Sequence, residues 1–212
     1  MDVALYHPWL KEKGGAEKVV LEAAKRSEHN ITVYTLFYDE KKTFKQFKKI
    51  DIEVLGSGKK PGGVIDKGIR FGLGSVLKKL PEEKHDTLLV SEAGLGSLIT
   101  LRNNSLPTLC YCHTPLRAAL PEFKQTYKKE ISSLIRPFYL TGLKIYSILE
   151  KQAWKNFDHI FSNSKLTRER ILDKKLTEEE KISILNPGAD IEKNQNKKYG
   201  NYFLYPSTLP NG

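Results

Sequence analysis

The chain has 212 residues, of which 39% are hydrophobic and 28% are charged. This composition is typical of a folded globular protein, and no run approaches the roughly 18 consecutive apolar residues of a membrane span, which argues against disordered and membrane-spanning classes. The 35 Lys and Arg residues outnumber the 25 Asp and Glu residues, and the resulting net charge of +10 favours anionic partners.

Two features bear on the cellular compartment. The sequence contains two cysteines, and its first residues, MDVALYHPWLKEKGG, lack a basic segment followed by an apolar one. Free thiols are typical of reducing compartments, and a secretory signal needs the basic-then-apolar pattern. We therefore expect a cytoplasmic protein.

Strand-like and helix-like segments alternate along the chain. Runs rich in apolar and β-branched residues predict seven strands, at residues 2–6, 31–37, 50–56, 86–92, 107–113, 159–164 and 181–186. Helical spacing of apolar residues occurs at 15–27, 94–103 and 165–175. This alternation predicts an α/β fold with a Rossmann-like, doubly wound and mostly parallel sheet.

Two segments depart from the alternation. Residues 122–156 predict an insertion of one long helix or two shorter helices, broken at Pro137 because proline cannot continue a helix. The polar run PGADIEKNQNKKYGN is typical of a linker, and YFLYPSTLPNG then begins as a strand. We therefore predict one domain at 1–190 and, at 191–212, a linker with the first strand of a C-terminal domain that this chain does not contain.

The stretch LCYCHTPLR contains two cysteines and a histidine in four consecutive positions. In a strand, Cys110 and Cys112 share one face and His113 points to the other, so the three cannot bind one metal ion. We interpret both cysteines as small buried hydrophobic residues. His113 comes where the strand ends, and ligands of open α/β sheets bind outside the carboxyl ends of the strands.

Gly14 and Gly15 lie where the first strand region gives way to the first predicted helix. Glycine permits close backbone approach, and the free amides of a helix N-terminus attract anions, although a simple turn explains the same pair. The pattern is not the G-x-G-x-x-G fingerprint, which disfavours a dinucleotide-dependent oxidoreductase.

Four motifs in order, GGAEKVVLEAA, YCHTPLR, FSNSKLTRERI and ILNPGAD, resemble the N-terminal domain of glycosyltransferase family 4. These are retaining sugar transferases of the GT-B architecture, built from two Rossmann-like domains that face each other across a cleft. The resemblance implies that the chain is the N-terminal, acceptor-side half of such a fold. It also implies a hexosyltransferase activity.

The resemblance also implies roles for individual residues. Gly14 and Gly15 match the glycine loop that lies against the phosphates of the donor. His113 matches the histidine that hydrogen-bonds the transferred sugar near its reacting carbon, which makes it the candidate catalytic residue. Arg117 matches a basic residue after the same motif and is a candidate for binding the donor.

Three further residues are weaker site candidates. Asn163 and Ser164 match the Asn-Ser pair that follows the sixth strand of the family. Glu92 ends its predicted strand in VSEAG and has no family counterpart. We treat all three as candidate acceptor-binding residues or as residues of the rim, by which we mean the edge formed by the carboxyl ends of the strands.

The resemblance implies that a UDP- or GDP-hexose is held by the second domain, so we expect this chain alone to be inactive. The expected acceptor is a saccharide or a lipid-linked molecule. No acidic D-x-D pair follows a predicted strand, so we expect metal-independent transfer without a cofactor.

The basic charge leaves two further hypotheses open, one on membrane location and one on an alternative function. Residues 58–80 and 124–157 mix Lys and Arg with large apolar residues, which is typical of helices on an anionic membrane surface but also of core helices with a solvated lysine face. On the first reading the protein is peripheral at the inner face of the membrane. The alternative function is a non-catalytic Rossmann-like module whose basic rim binds acidic lipid or a protein. No nucleic-acid-binding motif is visible, so we expect no nucleic acid partner.

Overall fold

The computed structural model describes residues 1–56, 62 and 64–188. The predicted linker and strand at 191–212 therefore lie outside the described residues. Along the described residues, strands alternate with α-helices and short 3₁₀ helices. The strands are β1 (Asp2–Tyr6), β2 (Trp9–Leu10), β3 (Asn30–Thr35), β4 (Phe37–Tyr38), β5 (Ile52–Val54), β6 (Thr87–Glu92), β7 (Thr108–Cys112), β8 (His159–Ser162) and β9 (Ile182–Ile184).

The helices lie between these strands. The α-helices are α1 (Gly15–Arg26), α2 (Val64–Leu77), α3 (Pro121–Glu130), α4 (Arg136–Trp154) and α5 (Lys165–Asp173). The 3₁₀ helices are Lys45–Lys49, Glu82–Lys84, Gly96–Leu101, Arg117–Ala119 and Glu179–Lys181. None of the helices in the described ranges is both long and apolar enough to cross a membrane.

Seven strands form one sheet in the order β5-β3-β1-β6-β7-β8-β9, and each neighbouring pair is parallel. The chain first builds outward from β1 to β5 and then returns to place β6 on the other side of β1. The point of reversal therefore lies between β1 and β6, where an open parallel sheet leaves a crevice at its carboxyl ends. The predicted doubly wound parallel sheet is confirmed.

The helices cover the sheet from both faces. Val20 and Leu21 of α1 pack with Leu5 and Val33 in one cluster. Residues of α2, α4 and α5 pack with the opposite face in a second cluster that includes Phe71, Tyr146, Trp154, Ile171, Val90 and Cys110. Because successive strand residues point to opposite faces, neighbours such as Val33 and Tyr34 enter different clusters.

Two predicted segments differ in detail. The insertion at 122–156 forms two helices, but the break lies between Glu130 and Arg136, and Pro137 falls in the first turn of α4. Proline is tolerated there because first-turn amides have no partner within the helix. The predicted helix at 94–103 is the 3₁₀ helix Gly96–Leu101.

Side-chain hydrogen bonds explain why Gly96–Leu101 forms a short 3₁₀ helix and not a longer α-helix. The Thr100 hydroxyl lies 2.9 Å from the Ser97 carbonyl oxygen, and the Asn103 amide donates to the Ile99 carbonyl at 2.8 Å. These groups take carbonyls that a continuing α-helix would use. The small parallel pair of β2 and β4 was not predicted, because two residues are too few to show a strand pattern.

Candidate functional site

The carboxyl ends of β1, β6 and β7 lie side by side at the point of chain reversal. β1 is followed at once by His7, β6 ends in Ser91 and Glu92, and β7 is followed by His113. The His113 backbone N–H donates to the Glu92 carbonyl at 2.9 Å, which extends the β6–β7 ladder by one residue and fixes where the imidazole leaves the sheet. His113 therefore occupies the predicted position at the rim.

One serine hydroxyl joins two histidines at this rim. Ser91 Oγ lies 2.9 Å from His7 Nδ1 and 3.0 Å from His113 Nε2. His7 Nδ1 also lies 3.3 Å from the Ser91 carbonyl oxygen. The centres of the two imidazole rings are 6.5 Å apart and the rings are nearly perpendicular. The rings are therefore connected by hydrogen-bond contacts with Ser91 and not by parallel stacking.

Burial determines the charge of both rings. His7 is fully buried, and its burial, with a smaller effect from the neighbouring His113, lowers its pKa to about 3. Burial also lowers the pKa of His113 to about 4. Both imidazoles are therefore neutral at neutral pH, so His113 can orient a ligand by hydrogen bonding but does not supply a positive charge.

Gly14 and Gly15 lie at the N-terminus of α1, as predicted, but their surroundings differ. A Cβ atom at Gly14 would come within 2.3 Å of Glu17 Oε2, whereas a Cβ atom at Gly15 would meet nothing within 4 Å. Glu17 is buried, and its Oε1 has no hydrogen-bond partner among the described residues. Gly14 therefore makes room for Glu17, and only Gly15 has open space around it for an anion.

The charge of Glu17 matters for this helix terminus. Its burial raises the pKa of its carboxyl group, although its own backbone N–H partly opposes the change. A protonated Glu17 does not repel an anionic ligand at the first turn of α1, whereas an ionised Glu17 does. The terminus therefore suits phosphate best when Glu17 is neutral.

Arg117 is exposed and begins the 3₁₀ helix four residues after His113. Its guanidinium carbon lies 6.0 Å from the centre of the Phe123 ring. Among the described residues it makes no ion pair, so its charge is available to an anionic ligand at the same edge of the sheet.

Glu92, a predicted rim residue, is only 1% exposed. One carboxylate oxygen accepts from the Gly94 N–H and the other from the Ser97 N–H, both in the loop after β6. Its burial raises its pKa to about 7, although these donors partly oppose the change. The structure therefore does not bring the Glu92 carboxyl to the rim, and its contacts give it the role of shaping the loop.

Asn163 and Ser164 support the site indirectly, through contacts that position α5. Ser164 is the N-cap of α5, and its Oγ accepts from the Thr167 N–H at 3.2 Å. The Asn163 N–H donates to the Cys112 carbonyl at 3.0 Å, and Asn163 Oδ1 accepts from the Thr167 hydroxyl at 2.7 Å. Thr167 Oγ1 also lies 3.2 Å from the His113 carbonyl, so the three residues fix α5 against the end of β7.

Cys110 and Cys112 are fully buried and unpaired, which confirms their interpretation as buried hydrophobic residues. Burial raises the pKa of both thiols, which keeps them protonated. No group of three or more His, Cys, Asp or Glu side chains suited to a metal ion occurs among the residues that the structure describes.

The sequence interpretation missed His7, Ser91, Glu17 and Thr167. His7 directly follows β1, so the position argument that selected His113 applies to it equally. Ser91 carried no such signal, because its role depends on the parallel pairing of β6 with β1 and β7.

Comparison with known proteins gives a match to a family model, one related sequence and two similar structures. Residues 13–193 match the family model described as Glycosyltransferase Family 4. Alpha-1,3/1,6-mannosyltransferase ALG2 of Eremothecium gossypii is 29% identical over 189 residues, which cover 82% of this chain and 34% of that protein.

Two solved structures have a similar fold. One is Anabaena Alr3699/HepE in complex with UDP and glucose, with 16% identity, a TM-score of 0.57, and coverage of 91% of this chain and 46% of that chain. The other is the apo form of the lipopolysaccharide outer core galactosyltransferase WaaB, with 13% identity, a TM-score of 0.55, and coverage of 90% and 47%. The chain thus spans about a third of the mannosyltransferase and about half of each structure.

Proposed function

The chain belongs to glycosyltransferase family 4, and on that premise we propose that it is the acceptor-side half of a retaining hexosyltransferase. The donor is a UDP- or GDP-hexose, and the acceptor is a saccharide or a lipid-linked molecule. The observation that carries this proposal is the neutral, partly buried His113 at the carboxyl end of β7, beside the crevice between β1 and β6.

Sugar transfer separates charge between an oxocarbenium-like sugar and a departing nucleoside diphosphate. A neutral imidazole can hydrogen-bond the sugar without adding positive charge next to its developing cation. The open helix terminus at Gly15 and Arg117, which makes no ion pair within the described part of the chain, suit the negative charge of the leaving phosphates. One such preorganised donor contributes about 3 kcal/mol to transition-state stabilisation.

The class of donor is proposed from the relatives. The HepE structure contains UDP and glucose, and the two other proteins are named as a mannosyltransferase and a galactosyltransferase. Their different sugars support a hexose but do not favour one hexose over another.

We also propose the division of labour between two domains. HepE and WaaB are about twice as long as the part that this chain covers, which supports a second domain that holds the nucleotide. The described domain then contributes the rim with His113 and Gly15. It is inactive until the nucleotide-binding domain completes the site.

Transfer assays on a protein that contains both domains test this proposal. His113→Ala should lower kcat by about 100-fold, the equivalent of one lost hydrogen bond in the transition state. His29→Ala is the matched control, because His29 is exposed and precedes β3 at the opposite, amino end of the sheet. An unchanged kcat for His113→Ala contradicts the proposed role, and an inverted anomeric configuration of the product contradicts retention.

The reaction is proposed to need no metal ion or cofactor. The N-terminus of α1 and the exposed Arg117 are two positive groups of this chain that can face the leaving phosphates, which is the electrostatic role that a divalent ion would otherwise fill. Transfer should therefore continue at an unchanged rate in excess EDTA. A loss of activity that added Mg²⁺ or Mn²⁺ restores would contradict this expectation.

We further propose that the protein is cytoplasmic and lies against an anionic membrane through α4. Phe138, Ile145 and Ile148 of this helix are 78%, 54% and 70% exposed. Lys144 and Lys151 are exposed on the same helix, and its one acidic residue, Glu150, is buried. An exposed face with apolar and basic residues and no acid suits the boundary of an anionic bilayer.

Vesicle sedimentation tests the membrane proposal. The chain should bind phosphatidylglycerol-containing vesicles and not pure phosphatidylcholine, and Phe138→Asp should weaken the binding. Leu166→Asp is the matched control, because Leu166 is 55% exposed on α5. Equal affinity for both kinds of vesicle, or equal loss in both variants, would rule out the α4 face.

A further inference from the structure

We infer that His7 and Ser91 are positioning residues that fix the tautomer of His113, so that His113 carries its proton on Nδ1. A continuous set of hydrogen-bond contacts runs from His7 through Ser91 to His113. This inference deepens the proposed function and rests on it only for its consequence in catalysis.

The direction of the chain follows from the Ser91 carbonyl group. His7 Nδ1 lies 3.3 Å from that carbonyl oxygen and 2.9 Å from Ser91 Oγ. A carbonyl oxygen only accepts, so a proton on His7 Nδ1 is attracted to both oxygens. The opposite tautomer would place a bare nitrogen lone pair against the carbonyl oxygen.

The other nitrogen of His7 supports the same assignment. His7 Nε2 is buried and has no hydrogen-bond partner among the described residues. A bare acceptor nitrogen is left there if the proton is on Nδ1, whereas an unmatched N–H donor is left if it is on Nε2. Buried N–H donors without partners are rarer in folded proteins than unsatisfied acceptors.

Ser91 passes this choice to His113. A hydroxyl group has a single proton, and Ser91 Oγ already accepts from His7. Its oxygen could also accept from His113, but the buried Ser91 proton would then have no acceptor, because Ser91 Oγ contacts only His7 Nδ1 and His113 Nε2 among the described residues. Ser91 therefore donates to His113 Nε2 at 3.0 Å, and the neutral His113 holds its own proton on Nδ1. His113 Nδ1 makes no hydrogen bond among the described residues, so the rim presents an N–H donor suited to a hydroxyl oxygen of a sugar.

The neighbouring residues hold this arrangement in place. The His7 N–H donates to the Tyr34 carbonyl at 2.9 Å, and the His113 N–H donates to the Glu92 carbonyl at the same distance. Both rings therefore start from backbone atoms fixed by the sheet. A change in tautomer does not require a change in fold, which makes the two effects separable by experiment.

Long-range ¹H–¹⁵N correlation spectra of the ¹⁵N-labelled chain identify the protonated nitrogen of each imidazole. The chain has five histidines, which single His→Gln variants assign. At neutral pH, His7 and His113 should both be the Nδ1–H tautomer. An Nε2–H signal for His113 overturns the inference. If His7→Gln or His113→Gln fails to fold, variants at the three other histidines still identify the two remaining wild-type signals as His7 and His113, and both must be Nδ1–H.

Variants then test the route. Ser91→Ala should shift His113 towards the Nε2–H tautomer, and Ser91→Thr, which keeps the hydroxyl, should retain Nδ1–H. Ser162→Ala is the matched control, because Ser162 is a buried serine on β8 whose hydroxyl donates to the Ser183 carbonyl. An unchanged His113 tautomer in Ser91→Ala overturns the role of Ser91, provided that the amide spectrum shows a folded chain.

A kinetic measurement separates this inference from the proposed function. In a two-domain protein, Ser91→Ala should lower kcat about tenfold to a hundredfold with little change in KM for the donor, because the sugar is misplaced and the nucleotide is not. If His113→Ala abolishes transfer while Ser91→Ala does not, only the positioning role fails. If no sugar is transferred at all, the proposed function fails and the tautomer result stands.

Discussion

At the scale of single residues, burial decides the protonation of the site. Glu92 is the last residue of β6, and His7 and His113 directly follow β1 and β7. Burial raises the pKa of the Glu92 carboxyl and lowers the pKa of both imidazoles. In each case the neutral form is favoured, as expected for a desolvated group. The two imidazoles are thus uncharged at neutral pH in a protein with a net charge of +10.

Glu92→Gln should change how stability depends on pH. The Glu92 pKa is raised from 4.5 to about 7, so its contribution is fully present below pH 4.5 and is lost as the pH rises towards 7. Gln does not titrate, so the variant should gain about 3 kcal/mol relative to the wild type across that window, whatever its starting offset.

Urea unfolding from pH 4.5 to pH 7.5 measures this difference. Glu180→Gln removes an exposed carboxyl group and is the control for the loss of one negative charge. A constant difference between Glu92→Gln and the wild type across the window would show that Glu92 keeps its ordinary pKa. The pH dependence of stability due to His7 has the opposite sign. Because its pKa is lowered, its contribution to the free energy of unfolding is lost as the pH drops below 6.5.

Gly14 and Gly15 should respond differently to alanine. Gly14→Ala must displace the carboxyl end of the flexible Glu17 side chain and should cost a small amount of stability, whereas Gly15→Ala meets no atom within 4 Å and should leave stability unchanged or slightly higher. If Gly15 faces the donor phosphates, Gly15→Ala should still raise KM for the nucleotide sugar in the two-domain protein.

Thermal unfolding combined with steady-state kinetics separates these outcomes. A second check is the double variant Gly14→Ala with Glu17→Ala, in which the clash is absent and the added cost of Gly14→Ala should largely disappear. Unchanged kinetics in Gly15→Ala would show that this glycine has no contact with the donor.

At the scale of elements, local patterns predicted the strands well and the helix ends less well. All seven predicted strands occur in the sheet, because β-branched and apolar runs bounded by turn residues are a local signal. The predicted helix break at Pro137 was misplaced, because proline breaks the interior of a helix but is favoured in its first turn, where Pro137 lies. The 3₁₀ helix Gly96–Leu101 depends on contacts with Glu92, which no local pattern contains.

The N-cap of α5 should carry a measurable part of the stability. Ser164 Oγ accepts from the Thr167 N–H at 3.2 Å, and Ser164→Ala removes that acceptor. We expect a loss of about 1 kcal/mol in the free energy of unfolding. Ser164→Asp, which restores an acceptor and complements the helix dipole, should recover most of it.

Chemical denaturation of the three proteins checks this expectation. Because Thr167 Oγ1 also lies 3.2 Å from the His113 carbonyl, the amide signal of Thr114 should shift in Ser164→Ala. A stability loss without that shift would show that the cap does not couple α5 to the end of β7.

At the scale of the whole molecule, the order of strands explains the site better than any single motif. Only the reversal between β1 and β6 brings His7, Ser91 and His113 together, although 84 residues separate the first two. The sequence could therefore predict that the carboxyl edge matters and that His113 lies there. It could not predict the histidine–serine–histidine contacts, since they depend on strand pairing and not on spacing along the chain.

The proposed division between two domains makes a final prediction about this chain alone. The described rim offers Gly15, Arg117 and His113 to the phosphates and the sugar, but no described residue has been assigned to the base or the ribose. Calorimetric titration with UDP- and GDP-hexoses should therefore give no binding below millimolar concentration, which corresponds to about 4 kcal/mol at most. A two-domain protein should bind one of the donors at least tenfold more tightly, and His29→Ala should leave both results unchanged. Tight binding by the chain alone would mean that it forms a complete nucleotide site, and the acceptor-side assignment would have to be abandoned.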